Sequence, residues 1–563
     1  MGLSQKTCRA EHKKVFASDG TCVLLQTFLS DRGPGSGRSF GMRCRKNFFS
    51  HGTAPRRKEG KNVYNRISNR EAESKTMSAA QAAELIKDGM TVGTSGFTMA
   101  GYPKAVPMAL ARRAERGEKI RIKLITGASV GDELDGRLAR AGVLERRYPY
   151  QTNQSVRELA NDDRLAYVDM HLSQVPFWIK NGYFGTIDVA IIEAIGIDDE
   201  GNIIPSTSVG CSNVLAEYAE KVIVEVNTAQ PVKLEGMHDV YSPRRMKETE
   251  PIPIVRPNNR VGMPYIRCRP DKIAAVVVTD IPDSTRHLAQ TDARSQIMAD
   301  YLVAFLENEV ACGRLPRKLP PIQSGVGNMA NAVLGGLQKS KFRNLSIYSE
   351  VLQDSVLDLI ETERVSFASG TALTISPERI DAFYKSLEMY KYKIILRPVE
   401  ISNSPEVIRR LGVIAVNTAL EVDLEGNVNS THIGGCQIVN GLGGSGDFAR
   451  NAALSVFTTP STAKNGTISC IVPHVAHVDH TEHDPHVIIT EQGCADLRGL
   501  TAYERARALI ENCAHPKFRP ALQAFVERSF ARPGFRHGFA PEDPQRWTQD
   551  YRPEENESEK GND

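Results

Sequence analysis

The chain repeats one sequence pattern at an offset of about 225 residues. Three matched pairs of segments keep the same order: residues 94–110 (TSGFTMAGYPKAVPMAL) with 323–337 (QSGVGNMANAVLGGL), 125–132 (ITGASVGD) with 347–354 (IYSEVLQD), and 200–211 (EGNIIPSTSVGC) with 425–436 (EGNVNSTHIGGC). Agreement of order and offset in three separate segments is typical of an internal duplication. The sequence therefore predicts two copies of one domain.

Within each copy, short Val- and Ile-rich runs alternate with stretches of helical period. Examples of these runs are residues 189–194 (VAIIEA), 222–226 (VIVEV) and 273–278 (IAAVVV). Strands that are apolar on both faces and alternate with helices indicate a mostly parallel sheet covered on two sides. We predict two similar, open, mostly parallel α/β domains at 71–313 and 322–530, joined by a proline-rich linker at 314–321 (RLPRKLPP).

Composition narrows the class of protein. With 563 residues the chain exceeds the size of a single hydrophobic core. A formal net charge of +3 over this length, with no basic stripe, argues against a nucleic-acid partner. No uncharged apolar run is long enough to span a bilayer, so no membrane partner is expected. The ten cysteines form no CxxC pair, which is typical of reduced, individually placed thiols.

Both ends of the chain differ from the predicted domains. Residues 1–70 contain 15 Lys and Arg but four acids, and they show no periodic apolar pattern. This composition predicts a disordered mitochondrial transit peptide and a location in the matrix. A signal-type apolar core at residues 21–29 (TCVLLQTFL) is a second interpretation, and a cytoplasmic location is the alternative to the matrix. Residues 531–563 are predicted to form a polar, acidic tail.

The duplication points to one carboxylate. In the second pair of segments, Glu350 aligns with Ala128, whereas Asp354 aligns with Asp132. A residue that supports the fold is expected in both copies, so the asymmetry at Glu350 favours a role in chemistry. The alternative is a glutamate that faces solvent at the end of a strand.

Two glycine-containing loops offer unhindered backbone N–H groups. Residues 440–450 (NGLGGSGDFAR) formally match G-x-G-x-x-G, but no clear strand precedes them and no acid follows near 20 residues on, so a dinucleotide site is disfavoured. Such a loop beside a helix N-terminus suits an oxyanion or a phosphate. Residues 323–328 (QSGVGN) form the second loop. Tight strand-to-helix turns are the alternative interpretation of both.

A histidine-rich segment is a candidate metal site. Residues 474–486 (HVAHVDHTEHDPH) contain five histidines, but HExxH is absent and the surrounding residues favour strand and loop. We therefore predict polar packing or contacts near an active-site mouth, and no metal. A serine hydrolase is disfavoured because G-x-S-x-G is not matched in frame.

From about residue 76 to 530 the chain resembles the acetyl-CoA hydrolase/transferase family of class I CoA-transferases, and most closely its succinyl-CoA:acetate CoA-transferases. Ten segments carry the resemblance: SGFTMAGYPKAVP, IIPSTSVG, CRPDKIAA, QSGVGN, YSEVLQD, SNSPEVIRRLG, GNVNSTH, NGLGGSGDFAR, HVDHTEHD and TEQGCADLRGL. Members of this family contain two similar open α/β domains, as the duplication also predicts.

The resemblance implies roles for individual residues. Glu350 matches the family's catalytic glutamate, which becomes a glutamyl-CoA thioester, and Asn403 matches the asparagine that orients it. Val326 and Gly444 match positions whose backbone N–H groups form the oxyanion hole, and Glu491 matches a further active-site acid. The implied CoA site is lined by Ile322, Gln323, Ser324, Gly325, Val326, Leu420, Asn440, Gly444 and Lys464.

The implied activity is transfer of CoA between short-chain acyl-CoA thioesters and carboxylates, such as succinyl-CoA or acetyl-CoA with acetate or succinate. Two alternatives remain: an acetyl-CoA hydrolase that uses the same glutamate, and a catalytically idle CoA-binding protein. A sugar-phosphate isomerase would account for neither Glu350 nor the paired loops. The resemblance implies no cofactor beyond coenzyme A as a substrate, and it implies a homodimer.

Overall fold

The computed structural model describes Val15–Phe16, Cys22–Val23, 66–246, 248–287, 292–325, 327–531 and Gly538. Strands β1 (Val15–Phe16) and β2 (Cys22–Val23) pair antiparallel in a unit of their own. Most of the predicted transit peptide and nearly all of the predicted acidic tail lie outside the described residues. The fold that follows belongs to the second unit, which begins at Lys61.

The first sheet lies in residues 66–287, which we call the first half. Its strands are β3 (Thr91–Thr94), β4 (Ile122–Ile125), β5 (Leu144–Tyr148), β6 (Ala166–Tyr167), β7 (Val189–Ile197), β8 (Ile203–Pro205), β9 (Lys221–Asn227) and β10 (Ile273–Thr279). They are ordered β10-β9-β7-β3-β4-β5-β6, all parallel, and β8 pairs antiparallel with β7. All nine residues of β7 are buried, as expected for a central strand covered on both faces.

The second sheet lies in residues 292–531, the second half. Its strands are β11 (Ile322–Ser324), β12 (Leu345–Tyr348), β14 (Val365–Gly370), β16 (Ile394–Leu396), β17 (Ile414–Thr418), β22 (Leu454–Thr458), β26 (Val487–Thr490) and β27 (Gly493–Asp496). Their order is β16-β14-β12-β11-β17-β22-β26-β27, with only β27 antiparallel. Read from β26 to β16, this order repeats that of the first sheet from β10 to β6. The predicted fold class is confirmed.

Shorter strands form small ladders beside the second sheet. They are β13 (Val351–Leu352) with β15 (Ala372–Leu373), β18 (Glu421–Asp423) with β19 (Val428–Asn429) and β25 (Ile471–Val472), β20 (His432–Ile433) with β21 (Gln437–Ile438), and β23 (Thr462–Ala463) with β24 (Ile468–Ser469).

Helices follow most strands. Those of the first half are α1 (Arg70–Ser74), α2 (Ala79–Ala83), α3 (Ala105–Glu115), α4 (Arg137–Arg140), α5 (Gln154–Asn161), α6 (Gln174–Lys180) and α7 (Ser212–Tyr218), with a π-turn at Asp132–Gly136 and 3₁₀ turns at Val232–Leu234 and Pro270–Lys272. Those of the second half are α8 (Ala293–Ala311), α9 (Asn328–Lys339), α10 (Asp354–Glu361), α11 (Ile380–Lys385), α12 (Leu387–Tyr390), α13 (Val399–Ser402), α14 (Pro405–Leu411), α15 (Ser445–Ala449), α16 (Ala502–Asn512) and α17 (Arg519–Phe530). Among the helices of the described residues, none has the length and apolar character needed to cross a bilayer.

One turn is built in the same way in both halves. After β7, the Asp198 carboxylate accepts hydrogen bonds from the backbone N–H and the side-chain amide of Asn202, at 2.8 and 2.9 Å. After β18, the Asp423 carboxylate accepts the same two hydrogen bonds from Asn427, at 2.9 and 3.0 Å. The repeat therefore extends to individual hydrogen bonds.

Helix α8 packs on the second sheet. In sequence it falls within the predicted N-terminal domain 71–313, but it contacts α9, β26 and β27. Its buried residues Met298, Leu302 and Leu306 recur at intervals of one turn. The predicted linker, residues 314–321, contains no helix or strand and leads directly into β11.

Candidate active site

Glu350 lies at the carboxyl end of a central strand of the second sheet. It occupies the break between β12 and β13, where ligands bind in open parallel sheets. Its backbone carbonyl accepts hydrogen bonds from the backbone N–H groups of Thr371 and Ala372, at 2.7 and 3.2 Å. The side chain is half-buried. The strand end thus fixes the glutamate backbone and leaves its carboxylate facing the site.

Two side chains set the state of this carboxylate. The Asn403 amide donates one hydrogen bond to Glu350 Oε1 and another, of 3.1 Å, to a carboxylate oxygen of Asp447. The Asn403 carbonyl oxygen accepts a hydrogen bond of 2.8 Å from the Ser402 hydroxyl, which fixes the amide orientation. Burial raises the pKa of Glu350 to about 7; the Asn403 hydrogen bond opposes this rise, and the charge of Asp447 adds to it.

The glycine-rich loop, residues 440–446, lies directly on Glu350. A Cβ atom added to Gly444 would be 1.5 Å from Glu350 Oε1 and 2.5 Å from the Asn403 amide nitrogen. No side chain fits in this position, so the close approach of backbone to carboxylate requires glycine. The structure thus brings three predicted residues, Glu350, Asn403 and Gly444, into direct contact.

The second predicted loop is connected to Glu350 through its neighbours. The Ser349 hydroxyl donates a hydrogen bond of 3.0 Å to the Ser324 carbonyl, and the Gln353 amide donates one of 3.2 Å to the Gly325 carbonyl. Gln323 is buried and is held by β17, because its side-chain amide oxygen accepts from the backbone N–H of Val416 at 3.1 Å. Ile322, the first residue of β11, is buried in the sheet. Val326 lies outside the described residues.

The remaining predicted residues lie around this contact. Leu420 follows β17 and is 36% exposed, and Lys464 lies in the turn between β23 and β24. Asn440 begins the glycine-rich loop, and its backbone carbonyl accepts a hydrogen bond of 3.4 Å from the Gln151 side-chain amide. Their roles as CoA ligands stay predictions.

Glu491 is held by a different partner, Ser461. Its carboxylate accepts hydrogen bonds from the Ser461 backbone N–H and hydroxyl, at 2.8 and 2.5 Å. Burial opposes ionisation of Glu491, but these hydrogen bonds outweigh it and hold its pKa below the usual range. Its proposed catalytic role also stays a prediction.

Side chains of the first half hold the glycine-rich loop in place, which the sequence alone did not indicate. Both carboxylate oxygens of Asp169 accept from the backbone N–H of Leu442, at 3.0 and 2.8 Å. Asp447, which follows the loop in α15, accepts from the Ser173 backbone N–H at 3.0 Å and from its hydroxyl at 2.5 Å. Asp447 could have been noticed as the acid that follows the glycines in NGLGGSGDFAR. Asp169 and Ser173 carry no such signal.

Partial or complete burial and nearby negative charge raise the pKa of several of these groups. Burial raises the pKa of Asp169 to about 7, with a further contribution from Asp479, and burial also raises the pKa of Asp447. The Tyr150 ring packs on the loop, and its pKa is raised to about 12 by burial and by the charge of Glu350. In all three groups burial is the largest cause of the raised pKa.

The histidine-rich segment contributes to packing near the loop. His480 is buried, and its Nε2 lies 3.1 Å from the Ser445 hydroxyl, next to Gly444. Burial lowers the pKa of His480 to about 4, so the imidazole is neutral. This arrangement supports the prediction of polar contacts beside the site.

Two other histidines form a group that could be taken for a metal site, His432 and His477 with Asp479. The imidazole rings are stacked, with centroids 3.8 Å apart and planes inclined by 37°. The Asp479 carboxylate accepts hydrogen bonds from the Ser430 backbone N–H and the Thr431 hydroxyl. One ligand atom from each of the three residues lies within 4.8 Å of the others, so the absence of a metal stays a prediction.

Family models and known proteins match most of the chain. The acetyl-CoA hydrolase/transferase N-terminal domain matches residues 60–278, and the acetyl-CoA hydrolase/transferase C-terminal domain matches residues 380–526. A succinyl-CoA:acetate CoA-transferase of Clostridium kluyveri is 51% identical over 465 residues, which cover 82% of this chain and 86% of that protein. An acetyl-CoA hydrolase of Schizosaccharomyces pombe is 45% identical over 476 residues, covering 82% and 91%.

A solved structure agrees with the fold. The crystal structure of RipA from Yersinia pestis aligns with a TM-score of 0.64 at 24% sequence identity. The alignment covers 82% of this chain and 98% of RipA. This likeness shows a shared fold.

Proposed function

Because the chain belongs to the acetyl-CoA hydrolase/transferase family, we propose that it transfers CoA between short-chain acyl-CoA thioesters and carboxylates. We expect succinyl-CoA or acetyl-CoA as donor, with acetate or succinate as acceptor. The observation that carries the proposal is the carboxylate of Glu350, half-buried, oriented by Asn403 and covered by the backbone of Gly444.

In the proposed reaction, Glu350 is the nucleophile. Its carboxylate attacks the acyl carbon of the thioester, the C–S bond breaks, and a mixed anhydride and CoA thiolate form. The thiolate attacks the glutamyl carbonyl, the anhydride C–O bond breaks, and the first carboxylate leaves. A glutamyl-CoA thioester remains. The acceptor carboxylate then follows these steps in reverse. It attacks the glutamyl thioester and releases CoA thiolate, which attacks the acceptor carbonyl of the new mixed anhydride. The acceptor leaves as its CoA thioester, and Glu350 is a carboxylate again.

The backbone around Glu350 supports the tetrahedral intermediates of this scheme. Each attack places negative charge on the former carbonyl oxygen, and one well-placed donor typically contributes about 2.7–4 kcal/mol to the transition state. Gly444 N–H lies in the loop on Glu350, and Val326 is the proposed second donor. An amide of a glycine-rich loop suits this role because no side chain blocks its approach.

The raised pKa of Glu350 supports the proposed nucleophile. A carboxylate with an ordinary pKa is a weak nucleophile, and nucleophilicity increases with basicity. A pKa of about 7 keeps a large fraction ionised at neutral pH while making the anion more reactive. Burial also limits water at the anhydride and thioester, where attack by water would convert transfer into hydrolysis.

A hydrolase is the second candidate function. It is favoured by the Schizosaccharomyces pombe relative, which is named an acetyl-CoA hydrolase. The same Glu350 thioester would serve, with water in place of the acceptor carboxylate. A catalytically idle CoA-binding protein is the third candidate.

Initial rates distinguish the transferase from the hydrolase. We expect loss of acetyl-CoA to depend on added succinate and to produce succinyl-CoA in equal amount. Turnover that proceeds at the same rate without any acceptor carboxylate would refute the transferase and favour the hydrolase.

A trapping experiment distinguishes either enzyme from an idle protein. After incubation with acetyl-CoA, intact mass should reveal a CoA adduct, and borohydride should convert Glu350 to the corresponding alcohol. Complete absence of adduct under turnover conditions would contradict a glutamyl-CoA thioester.

The accompanying proposals concern partners and location. The reaction uses coenzyme A as a substrate and needs no metal or nicotinamide, because every step is attack of an oxygen or sulfur anion on an acyl carbon. We propose a homodimer, on the family resemblance, and a mitochondrial matrix location, on the basic composition of residues 1–70. A cytoplasmic location is the alternative.

A further inference from the structure

The glycine-rich loop is bound on both sides by carboxylates that cross between the halves. At its start, Asp169 of the first half accepts from Leu442 N–H of the second half. Just after its end, Asp447 of the second half accepts from Ser173 of the first half, through both backbone and hydroxyl. The second half donates in the first contact, and the first half donates in the second. The loop segment between the two contacts covers Glu350.

The contact between Asp447 and Ser173 is linked to Glu350 through Asn403. Asn403 has two amide N–H groups, and one is donated to Glu350 while the other is donated to Asp447. Because the ionised Asp447 carboxylate can only accept hydrogen bonds, the Asn403 amide has to direct its nitrogen, and not its oxygen, towards Asp447. A neutral amide there could present either a donor or an acceptor, and it would remove one of the groups that select the orientation of Asn403.

We propose that Asp447 and Asp169 are positioning residues, which make the geometry of Glu350 depend on docking of the first half. The first half carries no equivalent of Glu350, since Ala128 occupies that position. Its contribution to the reaction would be to hold the loop and the Asn403 amide in register with the nucleophile. This inference rests on the proposed function of Glu350.

Other titratable groups face the same site. His171 Nδ1 lies 3.8 Å from an Asp447 carboxylate oxygen, and a Cβ added to Gly446 would contact the His171 ring. Tyr150 packs against the loop on the Glu350 side. The negative charges of Glu350 and Asp447 are therefore bridged by Asn403 and bordered by one imidazole and one phenol.

The test uses four variants of the full-length protein. Asp447→Asn, Ser173→Ala and Asp169→Asn each remove one part of the two contacts. Asp198→Asn is the matched control, because it removes a carboxylate whose hydrogen bonds run to its own turn at Asn202.

Displacement of a reacting group by about 1 Å can cost about 100-fold in rate. We expect kcat to fall by that factor in Asp447→Asn and by a smaller factor in Ser173→Ala and Asp169→Asn. The changes in the KM for acyl-CoA and in the Kd for CoA should be smaller than the fall in kcat, because the loop carries only Asn440 and Gly444 of the implied CoA ligands. Asp198→Asn should keep the wild-type kcat.

The pH profile separates positioning from general stability. Asp447 raises the pKa of Glu350, so Asp447→Asn should move the acid limb of kcat/KM to lower pH. Ser173→Ala leaves the charge of Asp447 in place and should not move the limb downwards. An unmoved limb in Asp447→Asn, or an equal fall of kcat in Asp198→Asn, would overturn the proposal.

Hydrogen exchange gives a readout that does not depend on the reaction. Peptides that cover residues 438–449 should exchange faster in Asp169→Asn and Ser173→Ala than in wild type, whereas peptides that cover 198–202 should not change. Unchanged exchange in the loop would overturn the positioning role. If wild type forms no glutamyl-CoA thioester, the proposed function fails, and the exchange result still decides whether the contacts hold the loop.

Discussion

The two sheets share one strand order but differ in how they hold charge. In the second half, Glu350 follows β12, and the groups that set its pKa include no cation. In the first sheet, Lys104 forms ion pairs with Glu193 and Asp283, at 2.5 and 2.8 Å, and the lysine is fully buried. Burial opposes the charge on Lys104, but the two carboxylates hold its pKa above the usual range.

The difference distinguishes a structural use of charge from a chemical one. A buried charge that is paired is fixed by its partners and unavailable to a substrate. A carboxylate without a cation remains basic and can attack. Although the copies share a scaffold, only the second has an acid at the end of this strand, where Ala128 occupies the equivalent position in the first.

The strongest way to break this comparison is to remove the unpaired acid. Glu350→Ala should lower the transfer rate by ~10⁴-fold or more, because the nucleophile is lost and no equivalent exists at Ala128. CoA binding, measured by calorimetry, should persist. Transfer at the wild-type rate in this variant would refute the assignment of Glu350.

A second variant tests the loop on Glu350. Gly444→Ala should reduce kcat by about 10²–10³-fold, because its Cβ would be 1.5 Å from Glu350 Oε1 and would displace the loop. The matched control is Gly335→Ala in α9, where no atom lies within 4 Å of the added Cβ. Steady-state assays should show an unchanged rate in the control. Equal activity of the two variants would remove Gly444 from the site.

Removal of the buried cation in the first half should lower the stability of the protein. Lys104→Met should lower the free energy of unfolding by ~3–5 kcal/mol, because Glu193 and Asp283 would lose their buried cation. Arg507→Met, which removes an exposed ion pair with Glu511, should cost no more than ~1 kcal/mol. Urea denaturation compares the two. Similar small losses would mean that the Lys104 network does not stabilise the fold.

The smallest effect is the pH dependence of the unpaired acid. In the proposed reaction the ionised form of Glu350 is the nucleophile, and its pKa is about 7, so kcat/KM should fall about tenfold per unit below pH 7 and level off above it. The pKa of Glu491 is lower than usual, so Glu491→Gln should retain this limb. A limb near pH 4 in wild type would contradict the raised pKa of Glu350.

Local patterns in the sequence predicted much of the fold. The three repeated segments indicated two copies of one α/β domain, because strand, turn and helix signals are short-range. Glu350 could be singled out for the same reason, since its alignment with Ala128 needs only one repeated strand. The contact between Glu350, Asn403 and Gly444 then agrees with what the family resemblance implied.

The contacts between the halves could not be predicted in this way. Ser173 and Asp447 are 274 residues apart, and no periodicity links a loop of one half to a loop of the other. The packing of α8 was hidden for a similar reason. An amphipathic helix reveals that it has a buried side, but its pattern does not identify the sheet that covers it.

Helix α8 determines how the halves can be prepared as separate polypeptides. A fragment that ends at residue 313 would carry Met298, Leu302 and Leu306 without the surface that buries them. Exposed apolar side chains of this kind promote aggregation, and the remaining fragment would lack the cover of its sheet. Recombinant halves therefore have to be divided before Ala293, so that α8 is expressed together with β26 and β27.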